Sequence, residues 1–150
     1  MGKRSDFDRI PRDYYPTPIE AVEPLVSHLP YAFDYVEPCA GDGRLIRHIS
    51  KLTQGTGECI YASDIEPRHD SVFISNALNL DFGGYGVMDY MITNPPWDRK
   101  ILHPMIEFFA RKQPTWLLFD ADWMHTQQSR EYMPWCRKIV SVGRVKWFGN

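Results

Sequence analysis

The chain has little thiol chemistry: three cysteines, Cys39, Cys59 and Cys136. An odd number without C-x-x-C spacing argues against a disulfide framework and against a thiolate metal site, and reduced thiols of an intracellular protein are expected. The five histidines, His28, His48, His69, His103 and His125, are equally scattered. They lack the short spacing that converges ligands on one ion, so no metal is expected. Charge of one sign is scarce too, with 17 Lys and Arg against 19 Asp and Glu and a formal net charge of −2. Bulk electrostatics neither advertise nor exclude a polyanionic partner, and any nucleic-acid surface has to be local. No apolar run reaches the roughly 18 residues of a membrane span, and Met1-Gly2-Lys3-Arg4-Ser5-Asp6 leads into no signal-peptide core. The expectation is a cytoplasmic protein with no membrane partner.

What is present suits one domain: 150 residues, 43% of them hydrophobic and 14% aromatic, with no internal repeat, low-complexity tract or linker. Residues 1–13 are polar and basic and are expected to form a flexible N-terminal segment ahead of a single domain over 14–150. Thr17 is placed to cap a helix that Pro18 opens, with Ala21, Val22, Leu25, Val26 and Leu29 as its apolar face and Pro30 as its stop.

Short apolar runs then alternate with helical patterns. Phe33 to Glu37, Glu58 to Ser63, Val72 to Ser75, Met88 to Thr93 and Thr115 to Phe119 read as strands. Leu45, Ile46, Ile49 and Leu52 mark one helix and Ile101 to Lys112 another. The pattern predicts an α/β fold with a mostly parallel, doubly wound sheet and helices on both faces. In such sheets ligands gather beyond the carboxyl ends of the strands, which directs attention to the residues after each run.

After the first run comes Glu37-Pro38-Cys39-Ala40-Gly41-Asp42-Gly43, leading straight into a helix. Two glycines around one residue permit a tight turn and a close backbone approach to a ligand at a helix N-terminus. Such a loop alone is often only a turn. The third glycine of a dinucleotide fingerprint would fall on Ile46, which disfavours pyrophosphate binding. Glu37 would repel a phosphate and welcome a cation, so a positively charged nucleoside fits better than a dinucleotide. Asp64, after the second run, is an acid suited to a ribose, although alone it would pass for a loop cap.

After the fourth run stands Thr93-Asn94-Pro95-Pro96-Trp97. An amino or amide nitrogen whose lone pair is delocalised is a poor nucleophile. The side-chain oxygen of Asn94 and the carbonyl of Pro95, both aimed at the amine hydrogens, would stabilise the positive charge that develops on attack. An Asp at position 94 would also accept. Prolines 95 and 96 would hold the carbonyl direction and present no N–H donor, and Trp97 offers an aromatic face for stacking. The bland alternative is a rigid strand end beside a core aromatic.

In their order, Thr17-Pro18, Glu37 to Gly43, Asp64 and Asn94-Pro95-Pro96-Trp97 resemble the motifs of S-adenosylmethionine-dependent methyltransferases, most closely the small phage-type DNA N6-adenine methyltransferases. The resemblance spans about Tyr14 to Trp147. It implies a Rossmann-like methyltransferase fold, S-adenosylmethionine as methyl donor, S-adenosylhomocysteine as product and no metal. It implies that Thr17 and Pro18 lie near the donor carboxylate, that Glu37, Pro38, Cys39, Ala40, Gly41 and Gly43 surround its methionine part, that Asp64 holds the ribose and that Ile65 packs on the adenine. Asn76-Ala77 fits by spacing, and Asp81-Phe82 by residue type, for a contact to that adenine's amino group. The acceptor implied is DNA, its target adenine flipped into the pocket by a protein of the host-cell cytoplasm. RNA adenine or a protein glutamine amide would use the same tetrapeptide, and a catalytically inactive binding protein would keep the fold without turnover. Two departures stand out. Val140 to Trp147 reads as a sixth strand with no reversed edge strand after it, so a second copy of the chain could complete the sheet. There is also no room for a target-recognition domain.

Overall fold

The computed structural model describes residues 14–81 and 88–147. The expected N-terminal segment, Phe82 and residues 148–150 lie outside them. Five parallel strands form one sheet: β1 (Phe33–Glu37), β2 (Gly57–Asp64), β3 (Phe73–Ile74), β4 (Tyr90–Thr93) and β5 (Thr115–Leu117), in the order β3-β2-β1-β4-β5. Helix α2 (Arg44–Leu52) links β1 to β2, and α3 (Arg99–Ala110) links β4 to β5. The described residues thus form an α/β fold compatible with a Rossmann-like arrangement.

Side-chain alternation along the central strands explains the two covered faces. On β1, Tyr35 joins Val22, Leu45, Ile49 and Ile92 on the α2 side. Its neighbour Val36 joins Met91, Met105 and Phe109 on the α3 side. Met91 and Ile92 of β4 divide in the same way. A third cluster, Leu102, Ile106 and Trp123, seats the 3-10 turns Ala121–His125, Gln127–Glu131 and Met133–Trp135 against α3.

Two expected elements differ. The first helix is a 3-10 turn at Ile19–Ala21 followed by the single turn α1 (Glu23–Val26). Pro18 occupies the cap position with no side-chain bond, because the Thr17 hydroxyl is taken up by Asn94. Residues 140–147 form no strand. Val140, Val142, Val145 and Trp147 are half-buried between exposed neighbours, as in a strand, but Gly143 adopts φ +72 and breaks the extended run between them.

The winding places the site. The chain moves from β1 to β2 and β3 in one direction, then returns to β4 beside β1 and continues to β5. The loops leaving β1 and β4 therefore part at this boundary, opening a crevice at the carboxyl ends of the strands.

Candidate active site

A cleft of about 300 Å³ opens at that boundary, within the size range of small-molecule sites. Its walls bring together most of the residues singled out above: Thr17, Glu37, Pro38, Cys39, Ala40 and Gly41, then Asp64, Ile65, Asn76, Ala77, Asn94 and Pro96. Pro18, Gly43, Pro95, Trp97 and Asp81 are not among the lining residues. Of the sequence candidates for an adenine contact, Asn76 and Ala77 line the cleft and Asp81 does not, while Phe82 lies outside the described residues. Asn76 Oδ1 accepts from Leu78 N at 3.0 Å and caps the turn Ala77–Asn79.

Both glycines of the β1 loop take left-handed backbone conformations, Gly41 at φ +54 and Gly43 at φ +80, which side chains with a Cβ rarely adopt. A Cβ on Gly41 would come 2.9 Å from the Tyr14 ring. Asp64 holds the loop in place: Oδ2 accepts from Gly41 N at 2.8 Å, and Oδ1 from Glu66 N at 2.8 Å. Its carboxylate thus anchors the loop, and each oxygen keeps acceptor capacity for a further donor. At the start of α2, where a pyrophosphate would bind, Asp42 accepts from Arg44 N at 2.9 Å and pairs with the Arg44 guanidinium at 3.2 Å. A protein carboxylate already fills the anion position that a helix N-terminus offers.

Glu37 closes the bottom of the cleft at 1% exposure. Its Oε2 is buried with no hydrogen-bond partner among the described residues, and the hydroxyls of Ser63 and Thr93, from the ends of β2 and β4, are likewise buried and unpartnered. Burial pushes the Glu37 carboxyl well above its usual range; the Thr93 side chain opposes the shift and the Asp64 charge adds to it. Orphaned buried polar atoms of this kind are uncommon and call for a partner.

The opposite wall is Asn94. Its Nδ2 donates to Tyr15 O at 3.2 Å and to Thr17 Oγ1 at 3.1 Å. A backbone carbonyl can only accept, so the amide nitrogen must face Tyr15, and the side-chain oxygen takes the other direction. Thr17, buried at 6% exposure, is itself held by His48, whose Nε2–H donates to Thr17 O at 2.9 Å. Burial lowers the pKa of His48, which favours the neutral ring.

The stacking face expected of Trp97 is not presented to the cleft. Its half-buried indole N–H needs an acceptor and finds Leu118 O at 3.2 Å, beyond β5. The ring stacks on Tyr15, with centroids 6.1 Å apart, and meets Trp147 edge-on at 5.4 Å. Tyr15, backed by Trp97, lines the cleft in its place, beside Tyr14.

Sequence reasoning missed Tyr14 and Tyr15, which form one wall of the cleft. The Arg68 guanidinium lies 3.7 Å from the Tyr14 ring centroid. The available signal was the adjacency of Tyr14-Tyr15-Pro16 to Thr17-Pro18, an extended, Pro-stiffened segment leading into a motif already under suspicion. The exposed cations Arg44, Arg68 and Lys100 also reach the cleft. No helix among the described residues is long and apolar enough to cross a membrane. The chain matches no protein-family model and no curated protein, so its chemistry has to be read from its own residues.

Proposed function

We propose that the protein transfers a methyl group from S-adenosylmethionine to the N6 amine of adenine in DNA. The observation that carries the reading is the pairing of opposites in one cleft: a buried carboxyl at Glu37 with its Oε2 unpartnered among the described residues and an amide oxygen at Asn94 whose own N–H groups are engaged behind it. The residues fit the donor. Glu37 matches a cationic ammonium, the Gly41 turn allows close approach, and Asp42 at the start of α2 disfavours a pyrophosphate competitor. Asp64 and Asn76 are in reach of the cleft for ribose and adenine polar groups, and Ile65 supplies apolar surface there.

The donor supplies an electrophilic methyl on a positively charged sulfur. The protein prepares the nucleophile. Asn94 Oδ1, in the wall of the cleft, accepts an amine hydrogen, which favours a tetrahedral nitrogen and stabilises the charge it gains on forming the new N–C bond. The S–C bond breaks with its electron pair left on sulfur, and the amine then releases a proton to water. Pro95 and Pro96 fix the backbone of the acceptor loop. Tyr15, supported from behind by Trp97, provides the ring on which a flipped base can lie. The exposed cations Arg68 and Lys100 among the cleft residues are available to meet phosphates of a nucleic-acid substrate.

The test is to incubate the protein with methyl-labelled donor and DNA, RNA or protein, digest each, and identify the modified unit by mass spectrometry. N6-methyladenine in DNA is expected. Label in RNA or protein and none in DNA would displace the reading, and no label anywhere would favour a non-catalytic binder.

A further inference from the structure

The segment from Tyr14 to Thr17 lies against both ends of the cleft. Tyr14 packs on the Gly41 turn and under Arg68 at the donor end, while Tyr15 and Thr17 hold Asn94 at the acceptor end. Asn94 and Thr17 are 77 residues apart in the chain, so this pairing is made only by the fold.

Resting on the methyl-transfer reading above, we infer that Thr17 is a positioning residue for the acceptor: together with the Tyr15 carbonyl it fixes the Asn94 amide with its oxygen toward the incoming amine. A side chain amide can in principle turn over and exchange oxygen for nitrogen. Turned over, Asn94 would bring its oxygen against the Tyr15 carbonyl, two acceptors with no hydrogen between them, and would present a donor to an amine that needs an acceptor. Thr17 tightens the arrangement because its hydroxyl accepts from Nδ2 while keeping its own hydrogen for a second partner. His48 holds the Thr17 backbone from behind, so the hydroxyl is anchored at its root.

The arrangement also makes a specificity rule for position 94. The side chain there must donate on the Tyr15 side and accept on the cleft side, which an amide does and an ionised carboxylate cannot. The expectation from sequence, that Asp would serve as well, is revised: a carboxylate would set an oxygen against the Tyr15 carbonyl at the place of a donor now 3.2 Å away.

The test uses Thr17→Val, which removes the hydroxyl at nearly constant volume, and Thr17→Ser, which keeps it. Two readouts are taken on the full chain: kcat for methyl transfer to DNA with both substrates saturating, and exchange of the Asn94 side-chain amide protons with water by nitrogen-15 NMR, the resonance being assigned by its absence in Asn94→Asp. Loss of one neutral hydrogen bond should lower kcat about three- to tenfold in Thr17→Val, with Thr17→Ser close to wild type, and the amide protons should be slowed in wild type and Thr17→Ser but not in Thr17→Val. Wild-type kcat and wild-type exchange in Thr17→Val would overturn the inference while leaving methyl transfer in place. If the wild type transfers no methyl group, the function proposed above fails, and the exchange measurement alone decides the role of Thr17: slowed protons lost in Thr17→Val support it, and fast protons in the wild type refute it.

Discussion

Replacing Glu37 by glutamine keeps the shape of the side chain and removes its capacity for negative charge. In the folded protein without ligand this carboxyl is fully buried with one oxygen unpartnered, and burial raises its pKa well above the ordinary value, the nearby Asp64 charge adding to the shift. Stability from such a group is fully present below the unfolded-state value and is lost as pH rises through the raised folded-state value. Glu37→Gln, with no proton to lose, should therefore melt higher than wild type above that range, and the advantage should vanish toward acid. A bound ammonium reverses the preference by pairing with the carboxylate, so donor binding must take a proton off Glu37. One charge-assisted hydrogen bond contributes about 1.5–3 kcal/mol, which at about 1.4 kcal/mol per tenfold corresponds to roughly 10- to 150-fold weaker binding in the glutamine variant. Calorimetric titration with S-adenosylmethionine in buffers of different ionisation enthalpy, at a pH below the raised value, reads both quantities at once. Wild type should release a proton and bind tightly; Glu37→Gln should release none and bind weakly. Equal affinity with no linked proton in either protein would refute the assignment of Glu37 to a cationic ligand.

Other outcomes follow from the same geometry. Asn94→Asp should lose more than tenfold in kcat at neutral pH, measured on DNA, because a carboxylate cannot donate to Tyr15 O; wild-type turnover would contradict that. Asp64→Ala leaves the N–H of Gly41 without its acceptor in a part-buried position and releases that of exposed Glu66 to water, a loss of about 1–3 kcal/mol for the Gly41 group, and should lower both melting temperature and donor affinity. Gly41→Ala forces a Cβ to within 2.9 Å of the Tyr14 ring at φ +54, so donor affinity should drop while far-ultraviolet circular dichroism stays the same. Phe109→Ala empties a fully buried position facing Val36 and Met91 and should cost about 3–5 kcal/mol in denaturant unfolding.

The parts of the fold that rest on local pattern were legible in the sequence. β1 has the expected bounds, Phe33–Glu37, because a short run of β-favouring Phe33, Tyr35 and Val36 bounded by Pro30 and Pro38 leaves little else to adopt. The loops after β1 and β4 were legible as a pair because topology forces both to one end of a parallel sheet. What was not legible depends on contacts between distant residues. Thr17 has the local look of a helix cap, and only the arrival of Asn94 beside it gives its hydroxyl another partner. Trp97 has the look of an exposed platform until Leu118 O takes its N–H and Tyr15 takes its face. In residues 140–147 the alternation of apolar side chains was real and survives as alternating burial, but a single left-handed glycine at 143 keeps that alternation from becoming a strand. Asp64 had the right location, yet its two backbone bonds were invisible without the loop geometry.

The most direct measurement of the central claim is single-turnover methyl transfer from labelled S-adenosylmethionine to DNA by wild type and Asn94→Ala, with donor binding measured on the same preparations. The account predicts N6-methyladenine with wild type, a rate reduced by roughly 10- to 150-fold or more in Asn94→Ala for loss of one acceptor to a charged amine, and donor affinity unchanged. Full transfer by Asn94→Ala would contradict it.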